Sequence, residues 1–282
     1  MSLPMRIIVF ACGAALCGVT AWLCADSDES APEQRVEHAA PARTAWGASP
    51  FAANASGGAT EAALDVLYGR NGRAVDFGGM KAADYIAQWG SRARGGDPAA
   101  AYKVYQAADL CAGANDALPD FTTDAERQDA QAERARVAQL CNGVSQAQID
   151  ERMRFLALAA NAGNTDAQID FFMEGPEGKP QNQFADDAAL QKWKADALGY
   201  LTAAGQHGDA FALGLLANAY DAGNIVEPDA KSSLAYTVAN AAARRVNLPL
   251  DSLHARFSLL SPADFDEAVQ RGTRMGAACC NQ

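Results

Sequence analysis

The stretch Gly208–Ala242, GDAFALGLLANAYDAGNIVEPDAKSSLAYTVANAA, carries the pattern on which the fold turns. Ala212, Leu216, Ala217, Tyr220 and Gly223 follow one another at helical spacing, so the first four share one helix face and Gly223 ends the helix. After Val226, Asp229 stands where an acid caps a second helix, which carries Tyr236 and Ala241. The stretch therefore predicts an antiparallel helix pair.

The opening step of this pair recurs upstream. Gly96-Asp97-Pro98-Ala99-Ala100, Gly163-Asn164-Thr165-Asp166-Ala167 and Gly208-Asp209-Ala210-Phe211-Ala212 share the form Gly-(Asp/Asn)-x-x-Ala. In each, the glycine ends one helix and the Asp or Asn caps the next. An aromatic and a small residue precede two of the steps at fixed distance, as Phe155, Ala159, Gly163 and as Tyr200, Ala204, Gly208. Trp89, Ala93 and Gly96 form a version one residue short. The small residue lets a neighbouring helix approach, and the aromatic one turn away fills the space beside it.

The pattern of Ala212, Leu216, Tyr220, Gly223, Asp229 and Tyr236 resembles the Sel-one-like repeat, a relative of the tetratricopeptide repeat. The likeness covers residues 62–245 and is strongest over Gly208–Ala242. It departs at Ile225, where the family has Gly, and at Ser233, where it has Ala. The middle unit has Gly175 in place of the Tyr and an inserted loop from Gly178 to Asp187. The first unit carries a longer insertion: its first helix keeps Ala100 and Val104 and ends at Cys111, and its second begins near Ser145. The resemblance implies an all-α fold of stacked antiparallel helix pairs, a short α-solenoid. Three units are expected, with a partial unit before them (Ala62–Arg94) and a C-terminal helical cap and tail at 247–282, whose last helix opens at Ser261-Pro262.

The first 60 residues are of another kind. Arg6 precedes an uncharged 19-residue stretch, Ile7–Ala25, long enough to span a bilayer. Val19-Thr20-Ala21 is also a small-residue cleavage site. Residues 1–25 thus predict a signal peptide or an N-terminal membrane anchor. A lipoprotein reading has Cys12, Cys17 and Cys24 available, but Leu16 and Leu23 stand where small residues are wanted. With Arg6 before the stretch and Asp26, Asp28 and Glu29 after it, the rest of the chain is expected outside the cytoplasm in each case. For a bacterial chain, which the short leader suggests, that is the periplasm. From Asp26 to Thr60, 20 of 35 residues are Ala, Ser, Pro or Gly without apolar periodicity, the composition of a disordered linker. A helical repeat domain at 61–246 follows.

The whole chain has 282 residues and a net charge of −11, which argues against a nucleic-acid binder. Apolar residues make up 49% and aromatic ones only 8%, a balance that suits close helix packing better than a β-sandwich.

Four cysteines lie outside the leader. The repeat alignment places Cys111 and Cys141 on either side of the first-unit insertion, so a disulfide between them would close its base; two buried free thiols are the alternative. Cys279 and Cys280 fall in a tail expected to fray. His38, His207 and His254 are scattered without metal-ligand spacing and are expected to face solvent.

No nucleophile elbow, H-E-x-x-H or P-loop occurs. The acid groups Asp186-Asp187 and Asp264-Asp266-Glu267 sit at expected helix starts, where carboxylates favour the helix dipole. The run Asp124–Arg136 mixes charge signs at helical spacing and predicts an exposed helix. The expectation is a non-enzymatic protein with no catalytic residues, no metal and no cofactor.

The resemblance implies protein–protein binding by the concave face that first helices line. Lys103, Gln106, Asp170, Asn218 and Asp221 are the candidate contacts there. The partners expected are other proteins of the cell envelope, with this chain as scaffold or adaptor. The alternative is a module for a cell-wall fragment or small ligand, or a regulator of an envelope hydrolase. For fragment binding, Trp193 is the available exposed aromatic, since Trp89 reads as core and Trp46 as linker.

Overall fold

The computed structural model describes residues 66–69, 71–115, 120–179 and 187–280. All of them belong to one compact unit, Ser49–Gln282. The leader, the whole linker with His38 and Trp46, and most of the Gly178–Asp187 loop lie outside the described residues.

The helix ends set the architecture. At Gly96, Gly163 and Gly208 the backbone is left-handed, with φ of 91°, 87° and 87°. The N–H of the following residue reaches back five positions, from Asp97 to Arg92 O (3.1 Å), from Asn164 to Ala159 O (3.1 Å) and from Asp209 to Ala204 O (3.2 Å). Those three residues then cap the next helix: Asp97 Oδ1 accepts from the N–H of Ala99 and Ala100, Asn164 Oδ1 from Ala167, and Asp209 Oδ1 from Phe211 and Ala212. Each step satisfies orphan groups at two helix termini within a few residues.

The helices joined by these steps are α1 (Ala82–Arg94) and α2 (Pro98–Ala112), α5 (Arg152–Asn161) and α6 (Thr165–Glu174), and α7 (Asp187–Gln206) and α8 (Ala210–Ala222). Between α2 and α5 lie α3 (Asp124–Leu140) and the short α4 (Gln146–Asp150), which opens with a capping box on Ser145. After α8 come α9 (Ala230–Arg244), α10 (Leu250–Arg256) and α11 (Pro262–Cys280). The unit is mostly helical, as an all-α fold requires. In chain order α1 packs on α2, α2 on α5, α5 on α6, α6 on α7, α7 on α8, α8 on α9 and α9 on α11. Ala93, Ala100, Ala159, Ala167, Ala204 and Ala212, the small residues around the three steps, are all buried at these contacts.

The segment before α1 departs from expectation. Instead of a partial helix pair, Val66–Tyr68 (β1) pairs antiparallel with Ala74–Asp76 (β2), Leu67 opposite Val75. Asn71-Gly72 supplies the turn, with Gly72 at φ 73°. Both three-residue runs contain β-branched or aromatic side chains, and the turn between them leaves no room for a helix. Leu67, Val75 and Phe77 are buried, with Phe77 edge-on to Tyr85 of α1.

The chain end departs too. α11 runs to Cys280 rather than fraying. Ser261 caps it, accepting from the N–H of Asp264 at 3.2 Å. Two glycines hold it down: a Cβ on Gly272 would meet the Ala235 carbonyl oxygen and Val238 Cβ (2.7 Å), and one on Gly276 would meet Ala242 Cβ at 2.5 Å. Gly272-x-x-x-Gly276 thus brings the α11 and α9 backbones together.

Two outcomes test this account. Gly272→Ala should lower stability to urea by about 1–3 kcal/mol, because overpacking outweighs the helix propensity gained; an unchanged midpoint would refute the close approach. Asp229, the α9 cap, accepts from the Lys231 N–H at 3.0 Å and from Ser232 Oγ at 2.6 Å. The Ser232 hydroxyl, helped by backbone donors and against some burial, holds its carboxyl below the ordinary carboxylate range. A lowered folded pKa stabilises above the ordinary value and ceases to as pH falls through the lowered one. Asp229→Ala should therefore cost about 1 kcal/mol near neutrality, and urea titrations should show that difference shrinking below about pH 4.

Candidate functional site

Of the five candidate contacts, Lys103 and Gln106 are half-buried on α2, and Asn218 and Asp221 are exposed on α8. Lys103 Nζ sits 3.7 Å above the Trp89 ring, and Asp221 lies 3.4 Å from the Arg256 guanidinium of α10. Asp170 does not belong with them. It is 2% exposed on α6 and accepts a hydrogen bond from the Tyr102 hydroxyl at 2.9 Å.

Asp170 is part of a buried polar seam between α2, α5 and α6. Tyr102, Tyr105 and Asp109 face it from α2, Asp170 and Glu174 from α6, and Arg152 from α5. Tyr105 donates to Glu174 Oε1 at 2.9 Å, and Asn71 Nδ2 of the hairpin turn donates to the Tyr102 oxygen at 3.2 Å. The Arg152 guanidinium lies 3.5 Å from Asp109 and 3.7 Å from Glu174. Burial first, then the carboxylates of Asp170 beside Tyr102 and of Asp109 beside Tyr105, push both phenols far above their ordinary pKa. Both hydroxyls donate to carboxylates across the seam, which joins α2 to α6.

The hairpin is fixed by a second polar contact. The Arg73 guanidinium pairs with Asp166, and with Asp209 Oδ2 at 2.6 Å. Arg73, Asn164, Thr165, Asp166, His207 and Asp209 line an open basin of about 390 Å³ at the starts of α6 and α8. Burial raises the Asp166 carboxyl despite the Arg73 charge beside it. Asp209 both caps α8 and receives Arg73. The basin's cation and anions are thus already matched to one another.

Cys111 at the end of α2 and Cys141 just after α3 form a disulfide, with Cα atoms 5.4 Å apart. It closes the base of the insertion, and α3 stands on it with no fully buried residue and a Thr123–Glu126 capping box. The pairs Arg127–Asp124 and Arg136–Glu133 run along its surface. The expected exposed helix is present. The disulfide is compatible with an oxidising, exported location.

A third opening lies between α7, α9 and α11, with Leu213 of α8 at its floor. Thr202, Gly205, Gln206, Tyr236, Arg271, Met275 and Ala278 complete the lining of a groove of about 370 Å³. Nothing local in the sequence marks Arg271. Arg73 was equally silent, since its partner Asp209 lies 136 positions further on.

Trp193, the aromatic expected to be exposed, is only 6% exposed; it donates its indole N–H to Phe171 O at 3.2 Å and stacks on Phe172. His207 and His254 are exposed, His254 lying flat on Phe265. The side chains of Cys279 and Cys280 lie outside the described residues. Asp264 and Glu267, at the start of α11, both pair with Lys231 of α9. Among the described residues no group of three His, Cys, Asp or Glu is placed to hold a metal ion, and no helix is long and apolar enough to cross a membrane.

No family model, curated protein or solved structure matches the chain.

The disulfide spans 30 positions, for which chain entropy alone gives about 3.5 kcal/mol. Replacing both Cys111 and Cys141 by Ala should lower the stability of the helical unit by about 2–4 kcal/mol in urea titrations; a loss under about 0.5 kcal/mol would show that the insertion's base is held by other contacts.

Proposed function

We propose that the chain is an exported, non-enzymatic repeat protein of the Sel-one-like type, a short α-solenoid that serves as a scaffold or adaptor for other proteins of the cell envelope. One observation carries this reading. The same step, a left-handed glycine followed by an Asp or Asn cap, recurs three times with the same back-bond and joins helices that pack serially along the chain. Helix pairs stacked in series offer extended faces, and extended faces suit protein partners. The disulfide supports the oxidising side of the envelope, and the periplasm is the compartment proposed.

Asn218 and Asp221 keep their place as contacts on the first helix of the last pair, with Lys103 and Gln106 on the corresponding helix α2. Asp170 leaves that set because its carboxylate is turned into the α2–α6 seam. Binding of a cell-wall fragment has less behind it, since the indole it relied on packs against Phe172.

Crosslinking affinity capture of the tagged full chain from intact envelopes, read by mass spectrometry, tests the reading. A dominant protein partner is expected, reduced at least tenfold by the double change Asn218→Ala, Asp221→Ala at an unchanged melting temperature. Capture at background level would reject the scaffold role, and depletion of the chain by purified peptidoglycan would favour a fragment-binding module instead.

A further inference from the structure

The groove between α7, α9 and α11 has the makeup of an anchoring site. Its base is the buried Leu213, Gly205 and Tyr236, and its accessible apolar edge is Met275 and Ala278. Arg271 projects from α11 at its edge, half-buried. The Arg271 Nη1 donates to Ser232 Oγ at 3.2 Å, and Ser232 in turn donates to Asp229, whose carboxylate is already engaged in capping α9. Among the described residues no carboxylate lies within ion-pair distance of Arg271. The guanidinium also lies 5.9 Å from the Tyr236 ring centroid, and its charge acts on Asp229 beyond ion-pair distance; of its five N–H donors one is taken by the hydroxyl.

We infer that this groove takes the free carboxylate end of an extended, apolar peptide segment from a protein partner. The inference rests on the protein-binding reading above and names the chemistry of one contact. An arginine in a largely apolar wall matches a monoanion, because a doubly charged phosphate would leave one charge desolvated and unpaired. Apolar side chains of the segment would cover Met275 and Ala278. Gln206 stands exposed at the rim, and its amide can both give and accept a hydrogen bond. A peptide backbone answers both functions, whereas an alkyl chain answers neither. The volume of about 370 Å³ falls in the range of sites for small ligands and short segments.

The place of the site is also informative. Its walls come from α7 and α9, the second helices of their pairs, and from the terminal helix α11. Asn218 and Asp221, by contrast, belong to a first helix. The groove is thus a second contact region, and α11 is what creates it. Gly272 and Gly276 seat α11 on α9, which fixes Arg271 and Met275, one turn apart, along the groove edge.

Fluorescence polarisation with the purified full chain tests the assignment. The probes are a fluorescein-labelled pentapeptide, Ala-Ala-Ala-Ala-Leu with a free C-terminal carboxylate, and the same peptide as its C-terminal amide. The acid should bind at least tenfold more tightly than the amide, the difference expected for one charge-assisted hydrogen-bonded pair. Arg271→Gln should reduce the acid to the level of the amide at an unchanged melting temperature, and Arg271→Lys should recover part of the difference. Equal binding of acid and amide, or an acid preference that survives Arg271→Gln, would overturn the proposal. So would displacement by dodecanoate of a probe that shows no preference between acid and amide, which would mark an alkyl-carboxylate site. If the peptide test fails while envelope capture still yields a partner dependent on Asn218 and Asp221, only the groove assignment falls. If capture fails while the acid preference holds, the scaffold reading falls and the groove stands as a peptide site.

Discussion

The helical unit depends on how one helix hands the chain to the next. A left-handed glycine turns the backbone back on itself, and the Asp or Asn that follows satisfies the N–H groups of the new helix. Because the two residues are adjacent, the stop and the start are rigidly coupled, and the angle between helices is set by local backbone geometry rather than by a long loop. The near-identical torsions at the three steps then present alanines at equivalent places, where only a small side chain lets the helices meet. Bulk is supplied one turn away by Phe155 and Tyr200. Alanine-rich interfaces are thin, so each contributes modest apolar burial, and the unit draws on polar pins as well.

Two such pins tie parts of the chain that sequence order keeps apart. The Tyr102–Asp170 and Tyr105–Glu174 bonds fix the register of α2 against α6 across the junction where α3 and α4 are inserted. Arg73 ties the hairpin to the starts of α6 and α8. The tyrosine–carboxylate pairs are buried and add little net stability when satisfied, but an alternative register would leave them unpaired at considerable cost. They specify which helices meet, while the alanine contacts supply the attraction.

The helix steps, the caps at Asp97, Asn164, Asp209 and Asp229, the exposed α3 and the pairing of Cys111 with Cys141 were all legible in the sequence. The first three depend on chemistry within four residues, and the last on two helix ends that the repeat pattern placed. What was not legible depended on distance or brevity. The hairpin strands are too short to show a period of two. Asp170 looked like a surface residue because its helix position alone says nothing of the Tyr102 hydroxyl waiting 68 positions earlier. Trp193 looked exposed for the same reason, its partners being contributed by α6. Asn218 and Asp221 are exposed, and nothing local marks Arg271, whose hydroxyl partner Ser232 lies 39 positions earlier.

The disulfide at the foot of α3 has a further consequence for what the insertion can tolerate. Residues 112–140 form a covalently closed ring attached to the body at its two cysteines. The ring touches the body at its foot, where Val137 and Leu140 of α3 pack against the core, and closure entropy grows only slowly with the length of what lies between the two cysteines. Segments ahead of Val137 could be lengthened, shortened or exchanged inside the ring without moving α2 relative to α5. A protease that cuts α3 would likewise leave both halves of the chain joined for as long as the bond is oxidised. The outer part of α3 is therefore free to diverge as long as its last turn keeps the residues that meet the core.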